Sequence, residues 1–246
     1  MRARVAGCAA LLMTLLSACG GGEDQVKAAD PKPVPTQKRT GEVGVDGEAD
    51  PRKVFTEAEL KAALLPAKEV GPKAKAYDVT TGAFGQQYGG GDWGSCAPGK
   101  DAREELARLR GNSAGHTVRP FPGAIEDKDP FVHVALVSMP VERAKRHVTL
   151  RRQLNDACPR VTVDTEAAPV REHHTAGKLP DLGDEAIVES TRTTGGDEYD
   201  GTARHKVEVR VGGVLVLVDA GTDKDVAILA AAKAAAHVRT DLYRTS

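Results

Sequence analysis

The feature that most constrains the fold of this chain is a pair of valine-rich segments separated by two glycines. The segment HKVEVRVGGVLVLVDAG runs from residue 205 to residue 221. Gly212-Gly213 is typical of a two-residue hairpin turn, because the tight turns that join antiparallel strands need positive φ. This turn predicts a register that places six valines on one face: Val211 opposite Val214, Val209 opposite Val216, and Val207 opposite Val218. The sequence therefore predicts an antiparallel hairpin with a continuous apolar face.

The opposite face of this hairpin is chemically mixed. Its first strand carries Lys206, Glu208 and Arg210, whereas its second strand carries Leu215 and Leu217. A face of this kind is neither fully solvated nor fully apolar, and a cleft with a few polar groups can form beside it. We therefore name Arg210, Leu215 and Leu217 as candidate ligand-binding residues.

Caps and apolar periodicity predict four helices. The first begins at the capping box Thr56-Glu57-Ala58-Glu59. It carries Leu60, Leu64 and Leu65 and is expected to end before Pro66. The other three helices are expected over residues 101–110, 141–158 and 224–242.

Further strands are expected beside the hairpin. Residues 130–140 read PFVHVALVSMP, which is apolar at alternating positions on both faces, as in a central strand. Two more strands are expected near 160–165 and 185–194. Helices interspersed with antiparallel strands indicate an α+β fold, a twisted antiparallel sheet with helices packed on one face. Low aromatic content, 4%, means that valine, leucine and alanine must form the core.

The amino-terminal region has the pattern of a bacterial lipoprotein signal. Arg2 and Arg4 precede an apolar run, residues 5–16, which is too short to cross a membrane as a helix. Leu16-Ser17-Ala18-Cys19 matches the lipobox pattern, which implies cleavage before Cys19 and attachment of a diacylglyceryl group to its thiol. Acyl chains such as palmitate then hold the protein at the membrane. The alternative is an ordinary secreted protein in which Cys19 has no special role.

These patterns predict three parts in the chain. Residues 1–18 are the signal peptide. Residues 19–53 are the lipidated amino terminus and a tether rich in glycine, proline and charge, which lacks the apolar residues needed to bury a core. Residues 54–246 form one α+β domain. We expect the protein to lie at the extracytoplasmic face of the cell membrane.

The cysteines indicate one disulfide. Cys8 leaves with the signal and Cys19 takes the lipid, so Cys96 and Cys158 remain as a pair in an oxidising compartment. The alternative is a metal or redox pair, which a lone cysteine pair without a second cluster of ligands does not favour.

The charge of the mature chain argues against nucleic-acid binding. The chain has 34 basic and 35 acidic residues. Removing Arg2 and Arg4 with the signal leaves 32 basic and 35 acidic residues, a net charge of −3. A mildly acidic, mixed charge offers no electrostatic attraction for nucleic acid.

Three motifs suggest chemistry, but each has a simpler interpretation. Residues 94–100 match the spacing of a phosphate-binding loop, but Asp101 stands where that loop needs Ser or Thr. Residues 111–115 read G-x-S-x-G around Ser113, but a predicted helix precedes this motif, the reverse of a nucleophile elbow. His173 and His174 point opposite ways on extended chain. We therefore expect no cofactor, no metal and no catalytic residue.

Trp93 is the single tryptophan, and it lies among glycines between the first and second predicted helices. An aromatic residue on such a loop can contact a ligand or partner. It can equally fill the core beside the disulfide. Trp93 is therefore a fourth candidate ligand-binding residue.

The order of these features resembles the PknH-like extracellular domain family. The resemblance rests on the lipobox, the Pro-rich tether, LKAALLP, a helix that ends in LNDAC, then LGDEA and VEVRVGGVLVLVDAG before an Ala-rich helix. It covers residues 54–243. It implies a disulfide-linked antiparallel sheet backed by helices, with a cleft for an unidentified ligand and no established catalytic residues to carry over.

The sequence thus leads to three hypotheses about function. The first is a lipid-anchored, extracytoplasmic domain that binds a cell-envelope ligand or protein, in the manner of a sensor. The second is a cell-envelope serine hydrolase that uses Ser113. The third is a structural or interaction protein at the cell surface.

Overall fold

The valine-rich hairpin lies inside a single antiparallel sheet in the computed structural model, which describes residues 50–84, 93–94, 96–119, 131–164, 169–195 and 201–243. The strands are β1 (Lys75–Phe84), β2 (Gly111–Arg119), β3 (Val132–Ser138), β4 (Arg160–Val163), β5 (Val170–Lys178), β6 (Glu185–Thr194), β7 (Ala203–Val211) and β8 (Val214–Asp219). The helices are α1 (Glu57–Ala62), α2 (Ala67–Val70), α3 (Lys100–Arg108), α4 (Val141–Ala157) and α5 (Lys224–His237), and a π-helical segment, Val238–Leu242, follows α5.

The strand order within the described residues is β1-β2-β3-β8-β7-β6-β5-β4. The predicted hairpin is confirmed as β7–β8, with the three valine pairs in the expected register. Gly212 has φ +57°, the turn conformation that favours glycine. The strand expected at 130–140 is confirmed as β3, between β2 and β8, and those near 160–165 and 185–194 are confirmed as β4 and β6.

The α+β class, the antiparallel sheet and the disulfide are confirmed, but the helices cover both faces of the sheet instead of one. The six hairpin valines share a core with the buried alanines of α5. On the other face, Leu215, Val137 and Ile187 pack with Ala144 and Val148 of α4. Because both sets of alternating side chains are apolar in the central strands, each face needs its own helical cover.

The predicted helices form, with shifted ends. Thr56 caps α1, and the capping box with Glu59 is confirmed. The helix ends at Ala62, so Leu64 and Leu65 lie beyond it, although both are buried. Asp223 caps α5, where its side chain accepts a hydrogen bond from the backbone N–H of Val226 at 3.0 Å.

The disulfide joins Cys96 to Cys158, the residue that follows α4. It lies in a small apolar cluster with Trp93, Leu150 and Leu154. The cross-link therefore fixes the segment around Trp93 against the carboxyl end of α4. This segment also precedes α3, which packs on α4.

Strands β1 and β5 and helix α2 are not predicted by the sequence pattern. All but two residues of β1 are exposed, so the strand lacks the alternation of apolar and polar residues that identifies a half-buried strand. Polar strands such as β1 form because a neighbour, here β2, supplies the backbone hydrogen bonds.

The predicted signal peptide, the predicted lipidation residue Cys19 and nearly all of the predicted tether lie outside the described residues. Within the described parts of the chain, no helix has the length and apolar character required to cross a membrane.

Candidate functional site

A grid of polar side chains covers β5 to β8 on the face of the sheet that α4 covers. The strand register sets the rows of this grid. Asp219, Lys206 and Glu189 lie side by side in one row, on β8, β7 and β6. The next row holds Arg204, Thr191 and His174, and the third holds Thr193 and Glu172.

The side chain of Arg151 on α4 contacts this grid and is buried among carboxylates. It binds Glu189 with two hydrogen bonds, one of them between Nε and Oε1 at 3.0 Å. Its Nε also lies 3.2 Å from Oε1 of Glu208. Asn155, one turn along α4, donates to Glu189 Oε1 at 2.7 Å. The three charged side chains are each less than a tenth exposed, so the cluster is a buried ionic network.

The pKa values of the two buried glutamates shift in opposite directions. Burial alone would raise the pKa of Glu208, but the positive charge of Arg151 and the hydrogen bond from His147 lower it to about 2. For Glu189, burial raises the pKa, and the charge of Arg151 offsets this only in part, while the negative charge of Glu208 adds to it. One buried cation therefore faces two acids, and His147 gives Glu208 a second partner that favours its charged form.

Trp93 packs against the Arg151 side of this network. The guanidinium carbon of Arg151 lies 4.3 Å from the centroid of the Trp93 ring, a cation–π contact. The ring of His174 lies 5.8 Å away, centroid to centroid. Trp93 itself is 1% exposed, and its Nε1 donor has no hydrogen-bond partner among the described residues.

A cavity of about 270 Å³ lies between this helix, this indole ring and the polar grid. We call it the Trp93 cavity. Its lining is formed by Trp93, Arg151, Asn155, Glu172, His174, Glu189, Thr191, Thr193, Arg204, Lys206 and Asp219. Most of these side chains are polar or charged, with both signs present, so the cavity suits a small polar ligand better than an apolar one.

Two histidines on β5 point to opposite faces, as the sequence pattern predicts. His174 is buried beside the cavity, where its Nδ1 lies 3.3 Å from Thr191 Oγ1 and its Nε2 lies 3.2 Å from Glu172 Oε2. His173 is only partly buried and contacts Thr194 Oγ1 at 3.0 Å. No group of three or more potential metal-ligating side chains occurs in the described parts of the chain.

Of the four candidate ligand-binding residues, Trp93 lines the cavity. It also packs in the apolar cluster beside the disulfide, which is the core-filling role predicted as the alternative. Arg210 is buried, and its Nη1 lies 3.3 Å from Asp184 Oδ2 and donates to the Gly212 carbonyl at 3.1 Å. Leu215 is buried beneath α4, and Leu217 is partly buried against the same cluster. Arg210, Leu215 and Leu217 lie outside the lining of the Trp93 cavity.

The residues of the discounted motifs have local structural roles. Ser113 lies within β2, and its hydroxyl donates to the Gly82 carbonyl at 2.9 Å. Its surroundings are those of a paired strand and lack the sharp strand-to-helix turn of a nucleophile elbow. Cys96, inside the loop-like motif, forms the disulfide, and Lys100 begins α3.

Sequence reasoning missed Arg151, Glu189 and most of the cavity lining. One signal was present, because Arg151 and Asn155 are four residues apart on a helix that was correctly predicted, and such residues share a face. The prediction of this helix used its apolar residues alone and left out the polar face that carries Arg151 and Asn155. Glu189, Thr191 and Thr193 also alternate along a predicted strand, which places them on one face of the sheet.

Comparison with known proteins supports the fold. No protein-family profile and no curated protein sequence matches this chain. Among solved structures, the chain is similar to the crystal structure of the extracellular domain of PknH from Mycobacterium tuberculosis. The two share 18% sequence identity with a TM-score of 0.51, over 76% of this chain and 98% of that chain. At this identity the similarity concerns the fold, and this protein has an α+β fold like that of the PknH extracellular domain.

Proposed function

We propose that this protein is a lipid-anchored, sensor-like domain on the extracytoplasmic face of the membrane that binds a small polar ligand in the Trp93 cavity, without catalysis. The observation that carries the proposal is the cavity itself, which has a volume of about 270 Å³ and is lined by charged side chains of both signs. That volume is just below the roughly 300–1,000 Å³ typical of small-molecule sites. Trp93, the single tryptophan, forms part of the lining.

Binding is favoured over catalysis because the most perturbed carboxylates are already engaged. Glu189 accepts hydrogen bonds from Arg151 and Asn155, and Glu208 is held by Arg151 and His147. A general acid or base must be able to reach the substrate proton that it transfers. These groups instead hold α4 and the sheet together around the cavity.

The binding role is tested with soluble fragments released from bacterial cell envelopes by muramidase digestion and separated by size. The purified mature domain should show a shift in Trp93 fluorescence and a higher melting temperature with at least one fraction. Trp93 is the only tryptophan in the chain, so the emission reports this wall of the cavity alone.

A matched pair of variants ties the signal to the cavity. Thr193→Phe places a ring in the cavity, where Thr193 is a lining residue. Thr175→Phe places the same ring on the exposed opposite face of β5. Both shifts should disappear in Thr193→Phe and persist in Thr175→Phe. Equal responses in the two variants, or no response of the wild type to any fraction, would show that the cavity is not the binding site.

The anchor is tested separately in cells. Cys19→Ala should leave the signal uncut and release the protein from lipid modification, whereas Cys8→Ala should behave like the wild type, because Cys8 leaves with the signal. Globomycin, which blocks the lipoprotein signal peptidase, should cause the wild-type precursor to accumulate. Mass spectrometry that finds an unmodified residue 19 on an uncut native chain would exclude the anchor.

The absence of catalysis is tested with a fluorophosphonate probe for active-site serines. No labelling is expected, because the Ser113 hydroxyl is hydrogen-bonded within β2. Labelling that is lost in Ser113→Ala and kept in Ser190→Ala would establish a hydrolase instead. Cellular crosslinking to one protein without any fragment binding would favour the third hypothesis, a surface interaction protein.

A further inference from the structure

We propose that the ligand of the Trp93 cavity is a short zwitterionic peptide of about three residues, with its carboxylate at Arg204 and its ammonium group at Glu172. This inference rests on the binding role proposed above and names the class of ligand. The assignment of the two ends follows from the pairing of the charged side chains that line the cavity. Those at its two ends are weakly paired, whereas those at its centre are already neutralised.

The anionic end of the ligand is assigned to Arg204. Its side chain is 59% exposed, and its one ionic contact among the described residues is with Asp219, at 3.9 Å. A contact this long between partly exposed groups contributes little, so the guanidinium is available for a better partner. Arginine binds a carboxylate with two parallel hydrogen bonds, which makes it the most selective side chain for this group.

The cationic end is assigned to Glu172. Its carboxylate is mostly buried at the opposite side of the cavity, and its ionic neighbour in the described parts of the chain is the imidazole of His174, at 3.2 Å. No lysine or arginine of the described residues forms an ion pair with it. A primary ammonium group can supply both the charge and the hydrogen bonds that this carboxylate accepts.

The centre of the cavity is polar but already neutralised. Arg151 is bound by Glu189, and Lys206 lies between Asp219 and Glu189 in the strand register. What remains for a ligand in the centre are hydroxyl groups, which Thr191 and Thr193 present between the two charged ends. Hydroxyls that both donate and accept suit the N–H and C=O groups of a peptide backbone.

The spacing of the two ends sets the ligand length. Arg204 and Glu172 lie two strands apart and one row apart in the register. With strands roughly 4.8 Å apart and a rise of about 3.4 Å per residue, their Cα atoms are about 12 Å apart. An extended peptide advances roughly 3.3–3.6 Å per residue, so about three residues cover a distance of this size. A single amino acid is too short to reach both.

The test measures binding of trialanine, its amide, its N-acetyl form and free alanine, by calorimetry at low salt with the mature domain. Trialanine should bind at least tenfold more tightly than each of the other three. Arg204→Gln should abolish the preference for trialanine over the amide and keep the preference over the N-acetyl form. Glu172→Gln should have the converse effect.

Matched controls separate this site from general charge effects. Arg192→Gln removes a cation from β6 on the opposite face of the sheet, and Glu142→Gln removes an exposed acid at the start of α4. Both should keep the wild-type preferences, and thermal melts should confirm that all four variants fold.

The outcomes distinguish this inference from the binding role. Capped peptides that bind as tightly as trialanine, or preferences that survive both Arg204→Gln and Glu172→Gln, would overturn the zwitterion assignment. If trialanine fails to bind while envelope fragments still shift wild-type melting and not that of Thr193→Phe, the peptide assignment is wrong and the binding role stands. If neither trialanine nor any fragment binds, both are wrong.

Discussion

Arg151 lies between an aromatic ring and two acids: its guanidinium carbon is 4.3 Å from the centroid of Trp93, and its Nε is 3.0 Å from Glu189. The first contact ties α4 to the segment that the disulfide holds, and the second ties α4 to the sheet. One side chain therefore joins the three walls of the Trp93 cavity. The stability of the domain and the shape of its candidate site depend on the same residue.

Replacing Arg151 with Met should destabilise the domain strongly. The substitution leaves Glu189 and Glu208 buried without their cation, and removing one partner of a buried ion pair typically costs about 3–5 kcal/mol. Urea unfolding at pH 7 measures the loss. Arg143→Met, at an exposed position on the same helix, should stay within about 0.5 kcal/mol of the wild type. A loss below about 1 kcal/mol for Arg151→Met would show that the network is not a stabilising contact.

Partial rescue checks the mechanism of that loss. Adding Glu189→Gln and Glu208→Gln to Arg151→Met removes the unpaired buried charges and should recover part of the lost stability. A further loss from the two glutamine substitutions would mean that packing, and not unpaired charge, dominates the effect of Arg151→Met.

Gly183→Ala should be more harmful than the same change at another glycine with positive φ. Gly183 has φ +66°, and a Cβ there would collide with the side chain of Val209 and the carbonyl oxygen of Arg210. Gly221 has φ +61° with open space around it, so Gly221→Ala isolates the backbone cost of about 1 kcal/mol. Overpacking typically adds about 1–3 kcal/mol at Gly183. Equal melting temperatures for the two variants would contradict this reading of the turn.

Removing the disulfide should loosen the wall of the cavity that carries Trp93. The bond closes a loop between residues 62 apart, for which the chain-entropy model gives about 4 kcal/mol. The double variant Cys96→Ser/Cys158→Ser should lose up to this amount in urea unfolding, and Trp93 emission should move to longer wavelength at temperatures where the domain remains folded. Unchanged emission in the folded variant would show that packing alone holds Trp93 in place.

His237 should make stability depend on pH. Burial alone would lower the pKa of His237, but hydrogen bonds to Asp241 and Glu69 outweigh burial and raise it. A raised pKa in the folded state means that the stabilisation is complete below the unfolded pKa, about 6.5, and is lost as pH rises through the folded value. The difference in unfolding free energy between the wild type and His237→Gln should therefore be larger at pH 5.5 than at pH 8.5. A stability difference that is larger at pH 8.5 than at pH 5.5 would show that protonated His237 does not stabilise the folded state.

Local sequence patterns predicted the helices and strands whose conformation is set by residues within the same short segment. The two glycines and alternating valines of 207–218 specified β7–β8 down to its register, and the capping box at Thr56 specified where α1 begins. Cys96 and Cys158 were the only candidates for a disulfide once the signal region was set aside. Each of these predictions uses residues whose chemistry acts on near neighbours or leaves a single choice.

The site depended on contacts that no local pattern contains. Arg151, Glu189 and Trp93 are far apart in the sequence, and each alone looks like an ordinary surface charge or loop aromatic. The sheet order brings β5 to β8 side by side, and α4 crosses them on the face opposite α5. Leu215 seemed available to a ligand because the helices were expected on one face of the sheet, whereas α4 covers it on the other face. Arg210 is instead engaged by Asp184, Glu185 and the Gly212 carbonyl. Burial and pairing of charges are properties of the assembled layers, since the free energy of a charge depends on what surrounds it, and only the tertiary structure decides that.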